Sequence, residues 1–169
     1  MRLKDKVAIV TGGGSGFGAG IVRKFVAEGA QVLVADLNLE GALDVAASVG
    51  TAARAELHFG RLDILVNNAG IGHLPQPLEG LPEEQFDRLF AVNMKAIYLA
   101  MREAVPRVKA ANNGKGRGVV LNMASTAGVS PRPRLAWYNA SKGWVITATR
   151  ACAVELAPFG IRVNALNPV

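Results

Sequence analysis

A doubly wound α/β fold, with one parallel sheet covered by helices on both faces, is what the sequence predicts, and three observations predict it. Short runs that are apolar throughout alternate with helical segments along the whole chain. Strands buried on both faces read as unbroken apolar runs, and their alternation with helices is the pattern of crossover-connected parallel strands. The first apolar run ends in glycines and leads straight into a helical segment, a strand–turn–helix start. Half of the 169 residues are hydrophobic, enough for a sizeable core, and no repeat or linker divides residues 1–169, so one domain is expected.

The elements follow in order. Lys6–Val10 (KVAIV) is a buried strand, and Ile21–Glu28 (IVRKFVAE) has helical periodicity stopped by Gly29. Gln31–Ala35 (QVLVA) is a second strand and Ala42–Val49 a helix; Leu62–Val66 (LDILV) is a third strand. Pro82–Ala110 reads as two helices in near-continuous succession, with Pro82 and two glutamates favouring initiation. Gly118–Met123 (GVVLNM) is a fourth strand, Trp137–Ala157 a long helix apolar on most faces, and Ile161–Leu166 (IRVNAL) a fifth strand.

Composition excludes several function classes. The formal net charge is +6, but Lys and Arg are scattered without a run or interleaved aromatics, so no nucleic-acid partner is expected. Met1–Lys6 (MRLKDK) leads into an apolar run too short for a signal peptide or a span, so no membrane association is expected either. The single cysteine, Cys152, cannot form an internal disulfide, which suits a reducing cytoplasm and a packing role. His58 and His73 lack partners at metal-ligand spacing and read as structural or solvated; no metal site is expected.

Thr11–Gly20 (TGGGSGFGAG) is the first candidate site. A glycine-rich turn lets the backbone approach a pyrophosphate, and the helix that follows offers free N–H groups and its positive dipole end. Gly12, Gly16 and Gly18 fit a G-x-x-x-G-x-G spacing, while Gly14, Gly16 and Ala19 fit G-x-G-x-x-A, so spacing alone leaves the parse open. Asp36 ends the second strand, where a carboxylate can accept hydrogen bonds from both adenosine ribose hydroxyls. It would repel a 2′-phosphate, and Ser15 and Leu37 offer no basic replacement, so NAD is favoured over NADP.

The second candidate site is AWYNASKGWV, residues 136–145, in which Tyr138 and Lys142 stand four positions apart. Residues at i and i+4 share a helix face. A free phenol titrates near 10, and a nearby cation favours the phenolate, which suits a general acid/base at neutral pH. Taken alone, a packed Tyr138 ring and a Lys142 that snorkels to water would be the ordinary reading.

The remaining motifs decide between them, because together they resemble the short-chain dehydrogenase/reductase family. TGGGSGFG resembles that family's T-G-x-x-x-G-x-G turn, and Asn67-Asn68-Ala69-Gly70 its N-N-A-G motif. Asn93, in VNMKAIY, stands where the family carries an asparagine. Ser125 lies thirteen residues before Tyr138, Tyr138–Lys142 matches Y-x-x-x-K, and Asn164–Pro168 (NALNP) resembles the end of the family's sixth strand. The resemblance covers essentially the whole chain and is similar to the 3-oxoacyl-carrier-protein reductase and glucose-dehydrogenase-like group.

The resemblance implies a Rossmann fold and a reaction between a secondary alcohol and a ketone. It implies a catalytic set of Asn93, Ser125, Tyr138 and Lys142: Tyr138 moves the proton, Lys142 also bonds the nicotinamide ribose, Ser125 orients the substrate oxygen, and Asn93 holds a relay water. To the cofactor it assigns Gly12, Ser15, Gly16, Phe17, Gly18, Asp36, Leu37, Asn67, Ala69, Gly70, Tyr138, Lys142 and Pro168. It implies a homotetramer built on the Phe90–Val108 and Trp137–Ala157 helices, whose apolar residues exceed what one sheet can bury. The rival expectation is a non-catalytic nucleotide-binding relative or an inactive fragment.

Two stretches depart from the family. Leu37–Arg61 offers 25 residues where the family places a helix, a third strand and another helix, so the third strand region is expected to be lacking, with a seam near Gly50. The Asp-Val pair that the missing strand would bring to the adenine is lost with it. The sequence also stops at Asn167-Pro168-Val169, where the family continues into substrate-binding segments, and Val169 replaces a frequent glycine. Segments left out, rather than a true deletion, are the expectation.

Overall fold

The computed structural model describes residues 1–50, 53–54, 61–110 and 117–169. His58 lies outside the described residues. The strands are β1 (Val7–Thr11), β2 (Gln31–Ala35), β3 (Ala53–Arg54), β4 (Ile64–Asn67), β5 (Val119–Met123) and β6 (Arg162–Leu166). The helices are α1 (Gly16–Ala27), α2 (Leu39–Ser48), α3 (Glu83–Phe90), α4 (Ala96–Ala110) and α5 (Ala136–Leu156). A π-helical turn, Ala91–Lys95, joins α3 to α4, the near-continuous succession expected from the sequence.

The strands pair in the order β3-β2-β1-β4-β5-β6, and the pairs are parallel. Chain order runs outward from β1 through β2 to β3, then returns to β4 and runs outward the other way. The reversal lies between β1 and β4, where ligands bind in such sheets, beyond the carboxyl ends of the strands. The third strand region, expected to be lacking, is reduced to two residues: Val32 pairs with Ala53 and Leu33 with Arg54.

Period-two alternation splits the strands between two cores. Val10, Val32, Val34, Ile64 and Val66 pack with Ala19 and Val22 of α1 and Val45 of α2. Leu65, Val120 and Val163 pack instead with Ala104 and Val108 of α4 and Leu156 of α5. Burying a side chain of this size contributes roughly 1.5–3 kcal/mol, which is why both faces are covered. Cys152 lies partly buried against the second core, as expected of a packing residue.

At the amino end of β4, Asp63 is only 2% exposed. It accepts from the Val7 amide at 3.0 Å, pairs with Arg61 at 2.6 Å and faces Lys6 at 3.6 Å. Burial alone would raise its pKa, but the Arg61 hydrogen bond, the Val7 amide and the two cations outweigh it and hold the carboxyl below the usual aspartate range.

Candidate active site

The glycine turn is closed by backbone contacts that no other residue permits. Gly12 and Gly16 have φ of 63° and 50°, the left-handed region glycine enters cheaply. A Cβ on Gly18 would lie 2.0 Å from the Gly12 carbonyl oxygen, which resolves the parse in favour of Gly12, Gly16 and Gly18. Thr11 Oγ1 accepts from the amides of Asn68 and Ala69 at 3.0 and 3.2 Å. Asn68 Nδ2 in turn donates to the carbonyls of Thr11 and Gly12, each at 3.0 Å. The N-N-A-G stretch thus clamps the turn. α1 opens at Gly16, and its N-cap Ser15 makes no side-chain capping bond, leaving the hydroxyl and first amides open to an anion.

Asp36 sits beside this turn at the end of β2. Its Oδ2 accepts from the Gly14 amide and its Oδ1 from the Asn38 amide, both at 2.9 Å. Two backbone donors fix the carboxylate and leave further lone pairs outward. Leu37 next to it is fully exposed, and Phe17 is 69% exposed at the mouth of the cleft described below.

The Asn67 side chain is buried and donates to Asn122 Oδ1 at 2.8 Å. Asn122 Nδ2 donates to Thr149 Oγ1 at 2.9 Å, a polar chain that ties β4 and β5 to α5. The side that opens outward here belongs to Asn68 and Gly70, while Ala69 backs Gly12: a Cβ on Gly12 would lie 2.9 Å from Ala69 Cα.

A cleft of about 340 Å³ opens at the carboxyl ends of β4 and β5. Its walls include Phe17, Asn68, Gly70, Met123, Ser125, Arg132, Leu135, Tyr138, Lys142 and Pro168. A larger apolar groove, about 590 Å³, lies between β1 and α4 along Ile9, Leu65, Ala100 and Ala104, and carries none of the Ser125, Tyr138 and Lys142 set. Asn68, Arg132 and Leu135 were not singled out from the sequence. Asn68 lies inside a motif that points to it; the other two belong to a loop without one.

Tyr138 and Lys142 share the cleft. Lys142 is buried, its Nζ donates to the Met123 carbonyl at 2.8 Å, and that Nζ lies 5.9 Å from the Tyr138 ring centroid. Burial pushes the Lys142 ammonium below the usual lysine range. The hydroxyl of Tyr138 makes no hydrogen bond to the described residues and is free for a ligand. Ser125 Oγ accepts from the Ala127 amide at 3.1 Å and donates to the Pro168 carbonyl at a long 3.4 Å, a bond weak enough to exchange for a better acceptor.

Asn93 comes from the π turn and is almost fully buried. Its Nδ2 donates to the Ile71 carbonyl and Ser141 Oγ, and its Oδ1 accepts from the Ile71 amide. Both donors are used, but Oδ1 keeps a lone pair. A Cβ on Gly70 would lie 3.5 Å from that oxygen and 3.2 Å from Lys142 Nζ, so both groups border one small space. Among the described residues, no cluster of three His, Cys, Asp or Glu could hold a metal ion, and no helix is long and apolar enough to cross a membrane.

Comparison with known proteins gives this geometry a family. The short chain dehydrogenase family model matches residues 6–59 and again 44–169, the overlap falling at the seam expected near Gly50. The chain is 42% identical to 4-formylbenzenesulfonate dehydrogenase of Comamonas testosteroni, over all of this chain and 74% of that protein. It is 38% identical to galactitol 2-dehydrogenase of Agrobacterium fabrum, over 99% of this chain and 71% of the other. Among solved structures it superposes on a 3-ketoacyl-(acyl-carrier-protein) reductase from Brucella melitensis complexed with NADH, with a TM-score of 0.94 and 46% identity over 99% of this chain and 76% of that one. An NAD⁺-bound xylitol dehydrogenase gives a TM-score of 0.92 at 30% identity, over 99% and 71%. With the fold, the glycine turn and the Tyr138–Lys142 pair all agreeing, the chain belongs to the short-chain dehydrogenase family.

Proposed function

We propose that this oxidoreductase uses NAD to interconvert a secondary alcohol and a ketone, with Tyr138 as general acid/base. The observation that carries the reading is the opening of Tyr138, Lys142 and Ser125 onto one cleft beside the clamped glycine turn. Relatives named for galactitol and xylitol, and a ketoacyl reductase, support CH–OH chemistry. A 3-oxoacyl-carrier-protein reductase-like substrate is one member of that class.

The residues fit a nicotinamide dinucleotide. The Gly12–Gly18 turn and the open start of α1 would take the pyrophosphate, Asp36 the adenosine ribose, and Lys142 Nζ, with two protons left after its bond to Met123, the nicotinamide ribose. Bound there, NAD supplies a two-electron acceptor for the hydrogen on the alcohol carbon, and NADH the reverse. The neighbours crystallised with NADH and NAD⁺ support this choice over NADP.

The chain's own part is proton handling. Ser125 Oγ turns from Pro168 to donate to the substrate oxygen and fixes it against Tyr138. Tyr138 Oη takes the alcohol proton during oxidation and returns it to the carbonyl oxygen during reduction. Lys142, a cation one helical turn away, stabilises the phenolate while that proton is absent. A water in the space bordered by Asn93 Oδ1 and Lys142 Nζ would carry the proton onward.

We also assign a homo-oligomer to the α4 and α5 faces, where Tyr98 is 55% and Val154 79% exposed. A monomeric mass in solution would remove that assignment. A purely nucleotide-binding role is the second reading, favoured by the two-residue β3. Tyr138→Phe separates the two: turnover of a reduced or oxidised probe substrate is lost while NADH still binds. Undiminished turnover in that variant sinks the mechanism.

A further inference from the structure

Among the described residues, the ionisable side chains that line the cleft apart from Tyr138 are Lys142 and Arg132, both basic; no Asp or Glu side chain lines it. Lys142 belongs to the chemistry already described. Arg132 does not, and its guanidinium has no ion pair or hydrogen bond among the described residues.

The main chain around Arg132 is held in place. Asn139, buried on α5 one residue beyond Tyr138, donates from Nδ2 to the Arg132 carbonyl at 2.7 Å. Two residues on, the Arg134 carbonyl accepts from the Gln76 amide at 2.9 Å, with Arg134 in the left-handed region at φ 63°. Pro131 and Pro133 flank Arg132 and restrict the loop further. Arg132 thus lies on a restrained stretch of main chain between Ser125 and Tyr138, on the wall of the same cleft, with its side chain exposed and its guanidinium available to a ligand.

We propose that Arg132 makes the substrate end of this cleft an anion-recognition site, so that the substrate is an alcohol or carbonyl compound carrying a carboxylate, sulfonate or phosphate away from the reacting carbon. The guanidinium fork matches such oxyanions with two parallel hydrogen bonds. An uncharged substrate leaves it to water. The pyrophosphate has its own place at the glycine turn, so the site is one for substrate. This rests on reading the cleft as a dehydrogenase active site, and the test keeps the two apart.

Benzoate and its uncharged isostere benzamide are titrated calorimetrically into the full chain loaded with NADH. Benzoate binds the wild type about tenfold or more tightly than benzamide, the scale of one charge-assisted bidentate contact. Arg132→Gln removes that preference and Arg132→Lys keeps part of it, while NADH binds all three alike. Equal affinity of the wild type for both probes overturns the proposal, as does a benzoate preference that survives in Arg132→Gln. Weakened NADH binding in Arg132→Gln overturns it too, by giving Arg132 to the cofactor. If the wild type fails to bind NADH, the dehydrogenase reading falls instead, and the same titration on the nucleotide-free chain decides the anion site by the same criterion.

Discussion

Lys142 Nζ donates to the carbonyl of Met123 at 2.8 Å while standing 5.9 Å from the centre of the Tyr138 ring. Helix α5 and strand β5 are thereby joined by the same ammonium that faces the phenol. A buried cation satisfied by a neutral carbonyl is costly to the fold and useful to the chemistry, which is how stability and activity come into conflict.

Lys142→Met should expose that conflict. Turnover falls by at least about a hundredfold, the lower range for a lost acid/base component, while the nucleotide-free protein melts at the same temperature or higher. The sign with pH follows from the lowered pKa. Between the depressed folded value and the ordinary lysine value, the unfolded chain binds more protons, so wild-type stability rises with pH there. The advantage of Lys142→Met in thermal midpoint therefore shrinks as pH is raised through that window. A midpoint several degrees lower at neutral pH would show the lysine to be structural.

Gly128 sets the distance between the serine and the helix. A Cβ on it would lie 2.7 Å from the Lys142 carbonyl carbon, 2.8 Å from the Lys142 oxygen and 2.8 Å from the Gly143 nitrogen, all backbone atoms that cannot rotate away. The short helical turn Thr126–Gly128, capped by Ser125, consequently rests directly on α5. Gly128→Ala pushes that turn off the helix, at a cost of about 1–3 kcal/mol in stability. It also misplaces Ser125, which lowers kcat by up to roughly a hundredfold. NADH affinity stays near the wild-type value, because the glycine turn is untouched. Wild-type kcat in a well-folded variant would show that Ser125 needs no such support.

Much of this site was legible in sequence because each motif sits where a strand ends. β2 matches its expected bounds, and Tyr138 and Lys142 share a face because helix geometry leaves no choice. Helix starts were less visible. α1 begins at Gly16 rather than Ile21, since a glycine run reads as turn although contact with Gly12 demands glycine at position 18. α2 begins at Leu39 rather than Ala42, because Asn38 caps it by accepting from the Gly41 amide at 3.2 Å. The π turn that delivers Asn93 leaves no periodic mark of its own. The inward turn of the Asn67 side chain toward Asn122 was not legible either, because a motif names residues without saying which one a strand turns inward. Arg132 was missed for want of any motif; only the fold brings its loop to the cleft.

Asp63 makes the fold acid-sensitive. Its carboxyl is held below the usual aspartate range by Arg61, the Val7 amide and Lys6, against its burial. The stability from this charge is present above the unfolded aspartate value of about 3.9 and is lost as pH falls through the lower folded value. Asp63→Asn leaves the buried Val7 amide and the two half-exposed cations, Arg61 and Lys6, facing a neutral amide, costing about 1–3 kcal/mol, since solvent screens both cations. It also flattens the acid limb of a melting-temperature profile. An unchanged acid limb would show that the β4 terminus is held by packing alone.

Asp36 supplies the last test, because its two jobs can be separated. One is structural: its oxygens accept from the Gly14 and Asn38 amides and so brace the glycine turn against the start of α2. The other is recognition: a fixed carboxylate accepts from ribose hydroxyls and repels a 2′-phosphate. Asp36→Ala removes both, so NADH binding weakens about tenfold or more while the discrimination against NADPH shrinks. Asp36→Asn keeps an acceptor for one amide but not the charge; NADH weakens less and discrimination still shrinks. Fluorescence titration with each nucleotide reads both quantities. If wild-type protein binds NADPH more tightly than NADH, the carboxylate does not face the ribose, and the cofactor assignment is lost while the brace remains.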